Sequence, residues 1–146
     1  VYHFFLKMME HKNLAVFTGF LVTAILQSST AVTVIIQAIY SNQEISLQVA
    51  LLLLLGTNIG TTITGLIAAI GKDKEAKRVA LFHLIFNILG VIIFIPFINN
   101  FTLFIYSFNV NRALKVAIAS TLFNIISVIL FFPFIQKISD ILEKIY

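Results

Sequence analysis

The chain has 146 residues, of which 60% are hydrophobic and 11% charged, with a mean hydropathy of +1.03. A water-soluble domain carries about 25% charged residues, so a soluble globular fold is excluded, and spans of about 20 apolar residues leave room for roughly four or five membrane segments. The absence of cysteine removes disulfides, thiolate metal sites and cysteine nucleophiles together, and a net charge of +4 on so apolar a chain suits interfacial residues rather than a nucleic-acid surface.

Residues 1–12 read as an N-terminal interfacial segment, because Lys7, Glu10 and Lys12 follow an apolar stretch too short to be the core of a secretory signal. From Asn13 to Leu26 the chain is apolar. As a helix this run is about 21 Å long, too short for a hydrocarbon core of about 30 Å. It stops at Gln27-Ser28-Ser29-Thr30, and a still shorter apolar run, Ala31 to Tyr40, follows. Two readings fit residues 13–40: a re-entrant hairpin with this polar tetrapeptide at its tip, or a single kinked span.

Residues 47–71 repeat the arrangement. Leu47 to Leu55 is apolar, Gly56 to Gly65 is polar and glycine-rich, and Leu66 to Ile70 is apolar again. We read this as a broken helix, with Gly56, Gly60 and Gly65 marking the break. A dense cluster follows, Lys72, Asp73, Lys74, Glu75, Lys77 and Arg78, and its basic residues make 72–79 a cytoplasmic loop by the positive-inside bias.

From that loop, 80–98 and 112–136 read as transmembrane helices. Pro96 and Pro133 lie near their far ends, where a residue without an N–H can end a helix. Asn99 to Asn111 forms a polar external loop between them, and 137–146, with Lys137 and Lys144, is a cytoplasmic tail. This threading leaves Lys7 and Lys12 outside if 13–40 is a hairpin and inside if it is a kinked span, so charge bias alone favours the span.

The two transmembrane segments are related. Setting Arg78–Ile98 beside Lys115–Ile135, an offset of 37, gives 11 identities in 21 positions, including shared Phe-Asn and Pro-Phe pairs. If the segments cross in opposite directions, the match signifies similar packing roles rather than a translational repeat.

The interruptions carry the chemistry. Helices broken at membrane depth are tolerated only where the freed backbone is buried or lines an aqueous cavity, so two breaks close in sequence imply one shared polar site. Gly-interrupted segments are the expected pointer to a midplane site where half-helix N-termini face an anion and carbonyls hold Na+. Ser28, Ser29 or Thr30 can cap a helix starting near Ala31, and Thr61 or Thr62 one starting near Ile63. Both breaks hold only hydroxyls and amides, among them Gln27, Ser28, Ser29, Thr30, Thr33, Thr57, Asn58, Thr61, Thr62 and Thr64. Neutral oxygens suit a cation that must bind and leave, and a tightly caged Mg2+ or Zn2+ is disfavoured. The alternative is that Ser, Thr and Gly simply let helices approach closely. His83 with Asn87, and Ser120 with Asn124, share helix faces at i, i+4 and read as interhelical hydrogen-bonding groups. Gln37 reads as a packed amide.

Thr23-Ala24-Ile25-Leu26-Gln27-Ser28-Ser29-Thr30-Ala31 resembles the QSSS signature of the type II sodium/phosphate cotransporters. Gly56-Thr57-Asn58-Ile59-Gly60-Thr61-Thr62 resembles that family's GxNIGTT segment, and His83-Leu84-Ile85-Phe86-Asn87 its H-x-x-F-N segment. Order and spacing agree over roughly Leu14 to Phe134. The resemblance implies an all-α polytopic membrane protein built as one inverted-repeat half, with a re-entrant hairpin, a broken helix and two transmembrane helices. It further implies sodium-coupled phosphate symport by alternating access in the plasma membrane, or the inner membrane of a bacterium. Gln27, Ser28, Ser29, Thr30, Thr61 and Thr62 are then expected to bind phosphate, and Ser28, Thr57, Asn58 and Thr61 to bind Na+. No cofactor and no enzymatic activity are expected. Thr30 departs from the family's third Ser while keeping the hydroxyl, and one QSS copy stands where the pattern has two. We therefore expect a partner, either a missing N-terminal repeat or an antiparallel second copy. The other functions to weigh are transport of sulfate or a carboxylate, and a non-transporting membrane assembly subunit.

Overall fold

Helix boundaries follow the capping chemistry of the sequence. The computed structural model describes His3, Lys7, Glu10 and residues 11–145, so the expected segment 1–12 falls largely outside the described residues. Seven α-helices follow one another among the described residues: α1 (Lys12–Leu26), α2 (Ser29–Ser41), α3 (Leu47–Ala68), α4 (Lys74–Phe94), α5 (Ile98–Tyr106), α6 (Arg112–Phe131) and α7 (Ile135–Ile145). Ser28, Ser46, Asp73 and Asn111 are the N-caps of α2, α3, α4 and α6, each side-chain oxygen accepting from the N–H three residues on. Such caps satisfy helix-end donors that have no intrahelical partner.

The all-helical fold expected from sequence is the fold observed. Short 3-10 turns, Ile95–Phe97 and Phe132–Phe134, join α4 to α5 and α6 to α7. Each contains the proline expected to end a helix, and the chain resumes helical structure immediately beyond it. Three helical stretches among the described residues are long and apolar enough to cross a membrane: Leu47–Ala68, Lys74–Tyr106 and Arg112–Ile145. Exposed Ile67, Val79, Phe97, Leu103, Ile129 and Phe132 give these stretches an apolar outer surface.

Three expectations are corrected, and a fourth segment gains detail. The broken helix at 47–71 is instead continuous from Leu47 to Ala68. Thr57, Thr61 and Thr62 return their hydroxyl protons to the carbonyls of Leu53, Thr57 and Ile59, so polar side chains are satisfied within the helix rather than by interrupting it. Residues 74–79 of the expected loop form the first turns of α4, because Asp73 caps it and accepts from Ala76 N at 2.9 Å. The expected external loop Asn99–Asn111 holds α5, whose buried Ile98, Phe101 and Ile105 recur with helical spacing. The expected tail 137–146 is helical to Ile145, with Leu142 buried.

Contacts fix the topology. Lys12 Nζ lies 3.5 Å from Asn99 Oδ1, which also accepts from Gln48 Nε2. The starts of α1, α3 and α5 therefore meet at one end of the bundle. Arg112 donates to the carbonyl of Tyr40, bringing the end of α2 and the start of α6 to that same end. Leu66, Ala69 and Ile70 meet Lys77, Ala80 and Leu81 at the opposite end, near the basic cluster, and α7 packs against α4. Helices α1 and α2 thus fold back on each other, and α3 passes between the two ends through the core. From Leu47 to Thr57 α3 is buried nearly all round, apart from Gln48, as expected of a helix apolar on every face.

The related segments meet antiparallel about a local two-fold. Phe86 packs on Phe131 with centroids 5.1 Å apart, and Phe94 on Phe123 at 4.8 Å. These pairs exchange under the offset of 37. At their centre Gly90 faces Ser127, its own counterpart, with Ser127 Oγ 3.4 Å from where a Gly90 Cβ would stand.

Candidate functional site

The bend between α1 and α2 is built from two residues. Gln27 takes a left-handed conformation with φ 54°, unusual for a residue with a side chain, and ends α1. Its N–H donates to Thr23 O and its Nε2 to Ala24 O, both at 2.8 Å, so it satisfies two terminal carbonyls of α1. Ser28 is extended and caps α2, its Oγ accepting from Ala31 N at 3.3 Å. Among the described residues nothing accepts from the N–H groups of Ser29 and Thr30, the first two of α2. They lie at the positive end of the α2 dipole.

The bend lies beyond the middle of α3, because Gly60 meets Phe20 and Thr23, still a turn short of Gln27. On one side Gly19, Gly56 and Gly60 let α1 and α3 touch backbone to backbone. A Cβ on Gly19 would fall 2.0 Å from Leu53 O, one on Gly56 1.9 Å from Val16 O, and one on Gly60 2.6 Å from Phe20 O. The spacing Gly56-x-x-x-Gly60 is the small-residue pattern of close membrane helix pairs. Gly56 and Gly60 are therefore packing residues and not the helix break expected from sequence. Gly65, the third expected break residue, has nothing within 4 Å of where its Cβ would be and lies within the unbroken helix.

On the other side of α3 the helices part around a cavity of about 360 Å³. Ser29, Thr30, Thr33, Val34 and Gln37 of α2, Leu54, Thr57 and Asn58 of α3, and Ser120 and Asn124 of α6 line it. Eight of these ten side chains are polar and none is charged. Of the residues expected to bind substrate, Ser29 and Thr30 line this cavity together with Thr57 and Asn58. Gln27 and Ser28 form the adjoining bend. Thr61 and Thr62 do not line it: Thr61 is half-buried against its own helix and Thr62 is fully buried. Sequence reasoning assigned Gln37, Ser120 and Asn124 to packing, whereas the structure places them around this space. The signal available was the i, i+4 pairing of Ser120 with Asn124 on one face of an otherwise apolar helix.

A helical bundle with an apolar outer surface, three stretches able to cross a membrane and a neutral polar cavity halfway along its central helix is an integral membrane protein. The Na+/Pi-cotransporter family model matches residues 1–108, and the chain belongs to that family. It is 37% identical over 101 residues to protein YqeW of Bacillus subtilis, covering 69% of this chain and 33% of that protein. It is 42% identical over 84 residues to the human sodium-dependent phosphate transport protein 2C, covering 55% of this chain and 14% of that protein. The bovine sodium-dependent phosphate transport protein 2B is 39% identical over 87 residues, 57% of this chain and 13% of that protein. The chain thus spans a third or less of the length of these relatives. No solved structure matches it. The family match ends before α6, so Ser120 and Asn124 lie beyond it.

Proposed function

We propose that this chain supplies one half of the transport domain of a sodium-coupled phosphate symporter. The observation that carries this reading is the uncharged hydroxyl- and amide-lined cavity at the α1–α2 bend, in a chain belonging to the Na+/Pi-cotransporter family. Phosphate is held at the bend by the free N–H groups of Ser29 and Thr30 and by the hydroxyls of Ser28, Ser29 and Thr30, with Gln27 shaping the turn. Anions bind readily at helix N-termini because donors and dipole point the same way. Hydrogen bonds without a cationic side chain hold an anion loosely enough to release it. Its charge must then be offset by another ion, and Na+ on neutral oxygens does so. This is the physical reason for symport.

The α1–α2 hairpin is re-entrant in this reading, entering and leaving the bilayer at the end marked by Lys12 and Arg112. Its bend stands about a turn beyond the contact of Gly60 with Thr23, past the middle of an α3 roughly 33 Å long but short of its far end, which supports that placement. The basic cluster at 72–78 and α7 face the cytoplasm, as the positive-inside bias requires. Gln27, Thr30 and Asn124 are exposed beside the cavity, so a second QSS-bearing repeat is the partner that closes the site. Alternating access then exposes the site to each side of the membrane in turn.

Labelled-phosphate uptake into proteoliposomes, with and without an inward Na+ gradient, tests this reading. Na+-dependent uptake that unlabelled phosphate suppresses more strongly than sulfate or small carboxylates is expected. Uptake indifferent to Na+, or best suppressed by another anion, would overturn it.

A further inference from the structure

We infer that the end of the bundle carrying the basic cluster holds an anionic phospholipid between α3 and α4, its phosphate on Lys77 and an acyl chain against Leu66, Ile70 and Leu81. A cavity of about 200 Å³ opens there, where α3 ends and α4 begins. Five of its six lining side chains are apolar, Leu66, Ala69, Ile70, Ala80 and Leu81, and the sixth is Lys77. This is the reverse of the cavity at the α1–α2 bend, which is polar and uncharged. An apolar cleft with one cation at its rim matches a ligand that is apolar along its length and anionic at one end.

The cations beside the cleft are free to bind. None of Lys72, Lys74, Lys77 and Arg78 makes a hydrogen bond, ion pair or ring contact among the described residues. The two carboxylates interspersed with them are placed for other work. Asp73 accepts from Ala76 N at 2.9 Å as the cap of α4, and Glu75 lies in the first turn, where the helix dipole favours a carboxylate. Lys77 and Arg78 are half-buried, whereas Lys72 and Lys74 are exposed. Arg78 Nε is buried with no partner. An orphan donor on a charged group is costly, and a small rotation of the side chain toward a phosphate would relieve it.

Ile67, Ile70 and Val79 are exposed at this same end, so the mouth of the cleft lies where acyl chains meet headgroups. A free phosphate would leave the apolar walls wet. A phospholipid covers them and brings its phosphate to the rim, and basic pockets between membrane helices at the cytoplasmic side suit anionic headgroups. The inference goes beyond the transport reading and shares with it only the side on which the basic cluster lies. Because α3 also carries Thr57 and Asn58 of the polar cavity, a lipid seated at its end ties that helix to one leaflet.

The test is binding of phosphatidylglycerol to the purified full-length protein in neutral detergent, followed by native mass spectrometry, with zwitterionic phosphatidylcholine as the control. Wild-type protein should half-saturate with phosphatidylglycerol at a concentration about tenfold lower than with phosphatidylcholine, the scale of one charge-assisted hydrogen bond. Lys77→Gln should remove that preference, and Lys77→Arg should keep it. Lys72→Gln, outside the cleft, should shift binding no more than about twofold, since salt screens an exposed charge. Ile70→Ser should weaken both lipids about fivefold through lost apolar contact. Excess inorganic phosphate should displace neither lipid. Equal binding of the two lipids, an equal effect of Lys72→Gln and Lys77→Gln, or displacement by inorganic phosphate overturns the site. The lipid comparison and the phosphate competition use wild-type protein alone, so the site can fail even where a variant does not fold. Lipid bound in this pattern by a protein that takes up no phosphate overturns the symport reading and leaves the site standing.

Discussion

One helix presents two unlike faces. Towards α1, α3 offers Gly56 and Gly60 and meets the Gly19 backbone with no room for a single added carbon. Towards α2 and α6, the same stretch offers Thr57 and Asn58 and stands away from its neighbours around polar space. Residues adjacent in sequence thus do opposite work, since successive helical positions point about 100° apart, at 3.6 residues per turn. The glycine face seats α1 along α3 and so fixes how far into the bundle the α1–α2 bend reaches. The polar face is where that placement is used.

The largest effect is expected from closing the gap on the glycine face. Gly56→Leu should leave little folded protein in detergent. Gly56→Ala should cost at least the ~1–3 kcal/mol of an overpacked core, read as a lowered midpoint of thermal unfolding. Normal stability of Gly56→Ala would show that α1 does not lie against α3 as described. Changing the polar face should separate activity from fold. Ser28→Ala with Ser29→Ala should abolish Na+-dependent phosphate uptake while costing about 1 kcal/mol of stability through the lost cap. Retained uptake would remove the bend from the mechanism.

Gly65→Ala decides whether α3 is continuous. In an unbroken helix with open space at that position, alanine should stabilise by about 0.5–1 kcal/mol through its better helix propensity. Destabilisation would restore the break read from sequence. The smallest effect is expected at the tether between α2 and α6. Arg112 lies over the Tyr40 ring at 5.3 Å, and Arg112→Gln should cost about 0.5–1 kcal/mol, seen as faster hydrogen exchange near the end of α2.

Much of this was legible in the sequence, and the misreadings have a common cause. The polar stop at Gln27-Ser28 was readable because a left-handed residue followed by a capping serine is local chemistry. Pro96 and Pro133 marked the 3-10 turns because proline acts on its own backbone. Gly56 and Gly60 were misread because glycine weakens a helix in isolation and strengthens a helix pair, and the deciding partner, α1, lies about forty residues away. Separation along the chain also hid Gln37 and Asn124. Each looks like a packed amide until α2, α3 and α6 are brought around one space. Lys74 to Arg78 were read as loop because charge marks the membrane boundary without saying whether the backbone there is coiled. Asp73 carried that second message.

The local two-fold between α4 and α6 has a consequence for biogenesis. Two segments sharing 11 of 21 residues lie side by side in opposite directions, so their apolar code is indifferent to the direction of insertion. Direction must then be written in the flanking charges. Neutralising Lys72, Lys74, Lys77 and Arg78 would deprive the translocation machinery of its instruction while leaving the packing of the pair intact.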